Sequence, residues 1–103
     1  MIFYDDSGYQ CAKGPAFDKG HYCQKKLCLV ATDRDYLVRV LEEFLARDDC
    51  YYVKYSPEPR DGMHLGRIFL TDVREVGAAW SRLKKDPKLF CSIQDDDLTI
   101  GYR

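Results

Sequence analysis

No apolar stretch in this sequence approaches the roughly 20 residues that a bilayer-spanning helix needs. The opening Met1-Ile2-Phe3-Tyr4-Asp5-Asp6 has neither the basic start nor the apolar centre of a secretory leader, which predicts an intracellular, cytoplasmic protein. Neither sign of charge dominates. Sixteen Lys and Arg stand against 17 Asp and Glu, for a formal charge of −1. A general phosphate binder would be clearly basic, so only a local basic patch could serve that role. There is no repeat at a solenoid period and no low-complexity tract. There is no glycine-rich phosphate loop either. Gly62-Met63-His64-Leu65-Gly66 lacks the Lys-Ser/Thr ending and runs into a strand rather than a helix.

What the sequence does hold is enough apolar material, 46% of 103 residues, for one domain with one core. Its most legible stretch is 26–55. Lys26-Leu27-Cys28-Leu29-Val30-Ala31 is short and apolar and stops at a polar break, as a buried strand does. Thr32 or Asp33 then offers an oxygen to the free N–H groups of a helix start. Leu37, Val40, Leu41, Phe44 and Leu45 follow at helical spacing and form one stripe. Asp35/Arg39 and Glu43/Arg47 are spaced i, i+4 with the acid first, worth ~0.3 kcal/mol each. The helix is expected to stop near Arg47, because Asp48 and Asp49 oppose the negative end of its dipole. Tyr51-Tyr52-Val53-Lys54-Tyr55 is an aromatic and β-branched strand.

A looser copy of this unit covers 64–93. His64 to Leu70 is expected to be a strand, joined to the previous one by a long loop rich in Pro, Asp and Gly. Asp72 and Glu75 have capping-box spacing. Val73, Val76, Trp80 and Leu83 form a helical stripe, and Gly77 beside it either lets the helix lie close to the sheet or is a plain weak spot in the helix. Pro87 ends that helix. Leu89 to Ile93 is the last strand of the plan. Asp95-Asp96-Asp97 reads as a turn, and Leu98 to Tyr102 as an extra strand. Residues 1–25 read as an irregular arm or edge strand, with a hairpin as one form of it, attached to a core of 26–103. The order is strand, helix, strand, strand, helix, strand. That is an α+β, ferredoxin-like βαββαβ antiparallel sheet with two helices on one face.

If both helices cover one face, the alternation places Tyr52, Lys54, Arg67, Phe69 and Phe90 on the other. Aromatics among basic residues can stack bases and hold phosphates. The strand bearing Arg67 and Phe69 does not fit the motif of an RNA-recognition domain. The loop bearing Glu58, Arg60 and Asp61 is a second contact surface.

Five cysteines accompany only two histidines. Cys11, His21, Cys23 and Cys28 are the right atom types for zinc. Their spacing, Cys-x9-His-x-Cys-x4-Cys, lacks the tight pairs that place two thiolates on one ion. Cys28, Cys50 and Cys91 are expected as buried thiols, with no structural disulfide. The aspartates 95–97 point different ways and suit a turn better than a cation. His64 or His21 could meet a cysteine only through the fold, and His64 is expected at the surface. No cofactor, metal or catalytic residue is assigned.

Size, near-neutral charge and eight tyrosines point to a small non-catalytic binding protein that occludes a protein partner. Inhibitors, immunity proteins and phage anti-defence proteins share this profile. The alternative is single-stranded nucleic-acid binding through the aromatic and basic sheet face. Homodimerisation is compatible with either.

Overall fold

A computed structural model of the chain describes residues 4–6, 9–19, 25–56 and 58–95. In chain order the elements are β1 (Tyr4–Asp6), β2 (Tyr9–Lys13), a 3-10 turn (Phe17–Lys19), β3 (Lys25–Ala31), α1 (Arg34–Leu45), β4 (Cys50–Tyr55), β5 (His64–Leu70), α2 (Val73–Leu83) and β6 (Phe90–Asp95). The strands form one sheet in the order β1-β2-β4-β5-β3-β6, with every neighbouring pair antiparallel. The α+β class holds, with two helices on an antiparallel sheet. Among the described residues no helix is long and apolar enough to cross a membrane.

Both helices start as their caps dictate. The Asp33 carboxylate accepts the backbone N–H groups of Asp35 and Tyr36 at 3.0 and 3.2 Å. Asp72 accepts that of Arg74 at 2.9 Å. Glu75 does not complete a capping box. Its carboxylate turns to Arg47, 2.8 Å away, which also forks onto Asp49 with two 2.9 Å bonds. Arg47 therefore ties the end of α1 to the entry of β4 and the start of α2, rather than pairing with Glu43. Helix α1 closes at Ala46.

Alternation decides which side of the sheet the helices cover. Leu27, Leu29 and Ala31 of β3, Val53 and Tyr55 of β4, Ile68 and Leu70 of β5 and Ala12 of β2 meet Leu37, Val40, Leu41 and Phe44 of α1 and Val76, Ala79 and Leu83 of α2 in one core. The close approach of helix to sheet occurs at Gly66. A Cβ there would come within 3.2–3.4 Å of Leu37 and Leu41. Gly77 has nothing within 4 Å of that position, so of its two readings the weak spot holds and the close approach does not.

In the N-terminal segment the edge-strand reading with a hairpin holds: β1 and β2 form a hairpin, and β2 extends the sheet by pairing with β4. One further expectation is corrected. Strict alternation in β4 breaks. Cys50 pairs with Leu70 and Tyr52 with Phe69, so Tyr51 is an extra residue, a β-bulge. The bulge turns Cys50 into the core and pushes Tyr51 against Phe17, with ring centroids 4.9 Å apart. The expected strand 98–102 and the turn residues 96 and 97 lie outside the described residues.

Candidate functional site: the open sheet face

The strand register builds the face opposite the helices in rows, with Cys11 and Phe69 buried on it. One row runs Lys13, Tyr52, Phe69, Lys26, Gln94 across five strands. The next runs Cys11, Lys54, Arg67, Cys28, Ser92. Tyr9, two residues before Cys11, shares the face. Tyr52, Lys54, Arg67 and Phe69 thus form a compact block. Phe90 shares the face but stands on the far margin, two strands and two residues from Arg67, a separation of roughly 12 Å from ordinary strand spacings.

Each cation of the block rests against an aromatic ring. Lys54 Nζ lies 5.7 Å from the ring centroid of Tyr9 and 5.9 Å from that of Tyr52. The Arg67 guanidinium lies 5.8 Å from Tyr9, Lys26 Nζ 5.6 Å from Phe69, and Lys13 Nζ 4.8 Å from Phe17. Tyr52 stacks on Phe69 at 4.4 Å. Phe69 is only 4% exposed, so it is the floor of the face and not a free platform for a base, whereas Phe90 is 69% exposed. Lys13, Lys26, Lys54 and Arg67 bring four cations onto this face. Of these members, Tyr9, Lys13 and Lys26 were not anticipated. Tyr9-Gln10-Cys11-Ala12-Lys13 carries no clean alternation to signal β2, since Cys11 and Ala12 are consecutive and both buried.

The second candidate surface is more ordered than a long loop. Arg60 and Met63 exchange backbone hydrogen bonds of 2.8 Å in both directions. Between them Asp61 and Gly62 have φ of 53° and 78°. Two successive positive φ values are the signature of a tight type I′ hairpin turn, which Asp-Gly favours. Glu58, Arg60 and Asp61 are all exposed around this tip. Ser56, at the base, donates its hydroxyl to the Glu58 carbonyl at 3.1 Å. The tip continues β4 and β5 beyond Lys54 and Arg67, so it borders the second row of the open face.

Geometry narrows the other candidates. Cys11 and Cys28 end a row four strands wide, so roughly 14 Å separates them and no single ion bridges both. His21 and Cys23 lie outside the described residues, and the described residues contain no cluster of three metal-ligating side chains. His64 is half-buried rather than at the surface. It stacks at 6.4 Å on Tyr55, whose side chain belongs to the core. Burial pushes the Cys50 thiol up to about 12 and the Cys91 thiol up to about 11, which disfavours the thiolate form of both. Asp95 is the last residue of β6 rather than part of a turn.

One concavity, of about 420 Å³, opens at the end of β3 between Thr32, Asp33, Pro87, Lys88 and Phe90. Beside it the Tyr36 hydroxyl donates to Asp86, and Lys88 Nζ lies over the Tyr36 ring at 5.0 Å. That hydrogen bond, with a second from the Lys88 backbone N–H, holds the Asp86 carboxyl below its ordinary value and raises the Tyr36 hydroxyl. Compared with known protein families, curated proteins and solved structures, the chain matches none.

Proposed function

We propose that this chain is a non-catalytic binding protein that occludes an acidic surface of a protein partner, using the open sheet face and the adjoining hairpin tip. The observation that carries the proposal is the clustering of cations on that face. The chain as a whole has a formal charge of −1, yet the block around Tyr52 and Phe69 brings Lys13, Lys26, Lys54 and Arg67 together. A cluster of like charges steers an oppositely charged partner and disfavours like-charged ones. Cations lying on rings keep their alkyl stems on apolar surface and their charge outward. The hairpin tip adds a rigid projection, with little ordering entropy left to lose on binding.

The same reading takes the core as ferredoxin-like. Its support is the order β4-β5-β3-β6 with α1 linking β3 to β4 and α2 linking β5 to β6. An inhibitor, immunity or anti-defence role is the functional class that such an occluding surface serves best, in a cytoplasmic setting.

A second reading, single-stranded nucleic acid on the same face, draws on the interleaving of aromatic and basic side chains. The burial of Phe69 counts against it, because a base needs an open ring. The deciding experiment is an affinity capture with tagged protein, with and without nuclease, repeated with Lys54→Glu/Arg67→Glu. A stoichiometric protein that survives nuclease and is lost with the charge reversal is the expected result. Capture that depends on nucleic acid would replace the proposal with the second reading. Capture unaffected by the reversal would remove the face from the interface.

A further inference from the structure

The hairpin tip holds one chemical feature that a contact surface does not use. Asp61 and Gly62 form the one Asp-Gly step in the chain, which has no asparagine, and both residues are exposed. In a two-residue hairpin the ladder bonds join the flanking residues. Here they are the 2.8 Å bonds between Arg60 and Met63, so the N–H of Gly62 takes no part in them. Gly62 has no side chain, and nothing lies within 4 Å of where its Cβ would stand. The hindrance that a Cβ gives to attack through its own residue's nitrogen is therefore absent.

Asp33, Asp49, Asp72 and Asp86 are worse placed for such an attack. Asp33 and Asp72 accept the N–H groups of helix starts at 3.0 and 2.9 Å, and the bulky Arg34 and Val73 come next in the chain. Asp49 is forked by Arg47, and the N–H of Cys50 after it is bonded to the Arg47 carbonyl at 3.2 Å. Asp86 takes the Tyr36 hydroxyl and precedes Pro87, which has no N–H. The tip is held by the Arg60–Met63 bonds at its end, and by the 2.9 Å Ser56–Leu65 bond and the Ser56 hydroxyl at its base. A loop tip so held opens locally at a small fraction of the global unfolding free energy. Opening also releases Asp61 from its left-handed φ of 53°, which is unfavourable for a residue with a side chain.

We infer that Asp61-Gly62 is a site of spontaneous main-chain modification, in which the aspartyl link becomes isoaspartyl. This inference does not rest on the proposed function. The Gly62 nitrogen attacks Cγ of the Asp61 carboxylic acid, an intramolecular step between adjacent residues. The N–Cγ bond forms and the bond from Cγ to its hydroxyl breaks. The hydroxyl takes the amide proton and leaves as water, and the product is a five-membered imide. Water then adds back, its hydroxyl going to carbon and its proton to nitrogen. Breaking the N–Cγ bond restores aspartate. Breaking the bond from nitrogen to the main-chain carbonyl carbon leaves the chain running through Cβ and Cγ, with that carbonyl freed as a carboxylate. Water is the one co-reactant, and the net mass is unchanged. The main chain gains a methylene, so the two-residue turn no longer fits between Arg60 and Met63, and their paired bonds are lost.

The test ages the full chain in neutral buffer at physiological temperature, beside a second sample held unfolded in guanidinium. Both are then digested with a protease that cuts before aspartate and not before isoaspartate. Progressive loss of cleavage at Asp61 in the folded chain, ahead of Asp33, Asp49 and Asp72, is the expected result. An isoaspartyl carboxyl methyltransferase with a labelled methyl donor should place its label on the peptide bearing residue 61. In the converted fraction the Met63 amide should lose its protection from hydrogen exchange. Asp61→Asn keeps a turn of the same type and should convert faster, read as the mass gain of deamidation. Asp61→Ser should take up no label in that peptide. Cleavage at Asp61 that stays complete in the folded chain overturns the inference. If the unfolded sample alone loses it, the turn shields the step; if neither does, the step itself is inert.

Discussion

Gly77 sits inside α2 with open space where a side chain would begin. Glycine in a helix interior costs roughly 0.5–1 kcal/mol relative to alanine, through the freedom it must lose on folding. Gly77→Ala should stabilise the protein by about that amount, read as a higher urea midpoint at unchanged slope. A loss of stability would mean that α2 lies closer to a neighbour than the structure has it. The Tyr36–Asp86 bond makes a prediction of a different kind. Asp86 is depressed by the Tyr36 hydroxyl and then by the Lys88 N–H, so its contribution is present above the ordinary value of 3.8 and is lost as pH falls through the folded value. Tyr36 is raised by the same bond, so that contribution is full below 10.0 and is lost as pH climbs through the raised value. The stability gap between the wild type and Tyr36→Phe should thus be widest at neutral pH and close at both extremes. Urea midpoints across the pH range would measure it, and a gap independent of pH would assign the effect to packing alone.

At the scale of elements, Arg47 shows what joins the pieces. It holds Asp49 and Glu75 at once while its guanidinium lies 5.5 Å from the Phe44 ring, and Arg82 lies at the same distance. Arg47→Ala should cost about 1 kcal/mol, a charge-assisted fork discounted for partial exposure. Arg47→Lys should recover only part of it, since an ammonium cannot fork onto Asp49. Chemical denaturation of the two variants and of Glu75→Gln would separate the terms. This tie was not legible in the sequence, because Glu75 is 28 residues from Arg47 and the nearer acid, Glu43, has the better helical spacing. The helices themselves were legible, since each stripe and cap is local information. The edge was not. Tyr9 to Lys13 is five residues long, and only its pairing with β4 makes it part of the sheet. The bulge at Tyr51 was likewise invisible, because an inserted residue looks like one more member of an aromatic run. The β4–β5 tip was half legible. Asp-Gly was read as loop, although it is the strongest short hairpin signal. Gly62→Ala should cost roughly 1–2 kcal/mol, the penalty for an L residue in the left-handed region. Asp61→Gly should be tolerated. Thermal melts that found Gly62→Ala neutral would show that the tip relaxes to another turn.

At the scale of the whole molecule, four of the described cations are gathered on one face of the sheet. The helices carry acids and bases in near balance, while the described part of the open face carries Lys13, Lys26, Lys54 and Arg67. Electrostatic steering acts on encounter and is screened over roughly 8–10 Å at physiological salt. For the acidic partner proposed here, raising salt should therefore slow association by one to two orders of magnitude, about what steering contributes, and leave dissociation nearly unchanged. Reversal at Lys54 and Arg67 should mimic high salt and flatten the remaining dependence. Changes at Arg60 and Asp61 should instead speed dissociation, because a rigid tip acts after contact is made. For single-stranded nucleic acid the expectation differs in form. Four cations would give a log–log slope of affinity against salt no steeper than about −3, and each reversal would reduce it by nearly one. Stopped-flow or surface-based kinetics over a salt series, with the captured partner as ligand, separates the two. Association that ignores salt would sink both readings of this face and leave the hairpin tip as the contact to pursue.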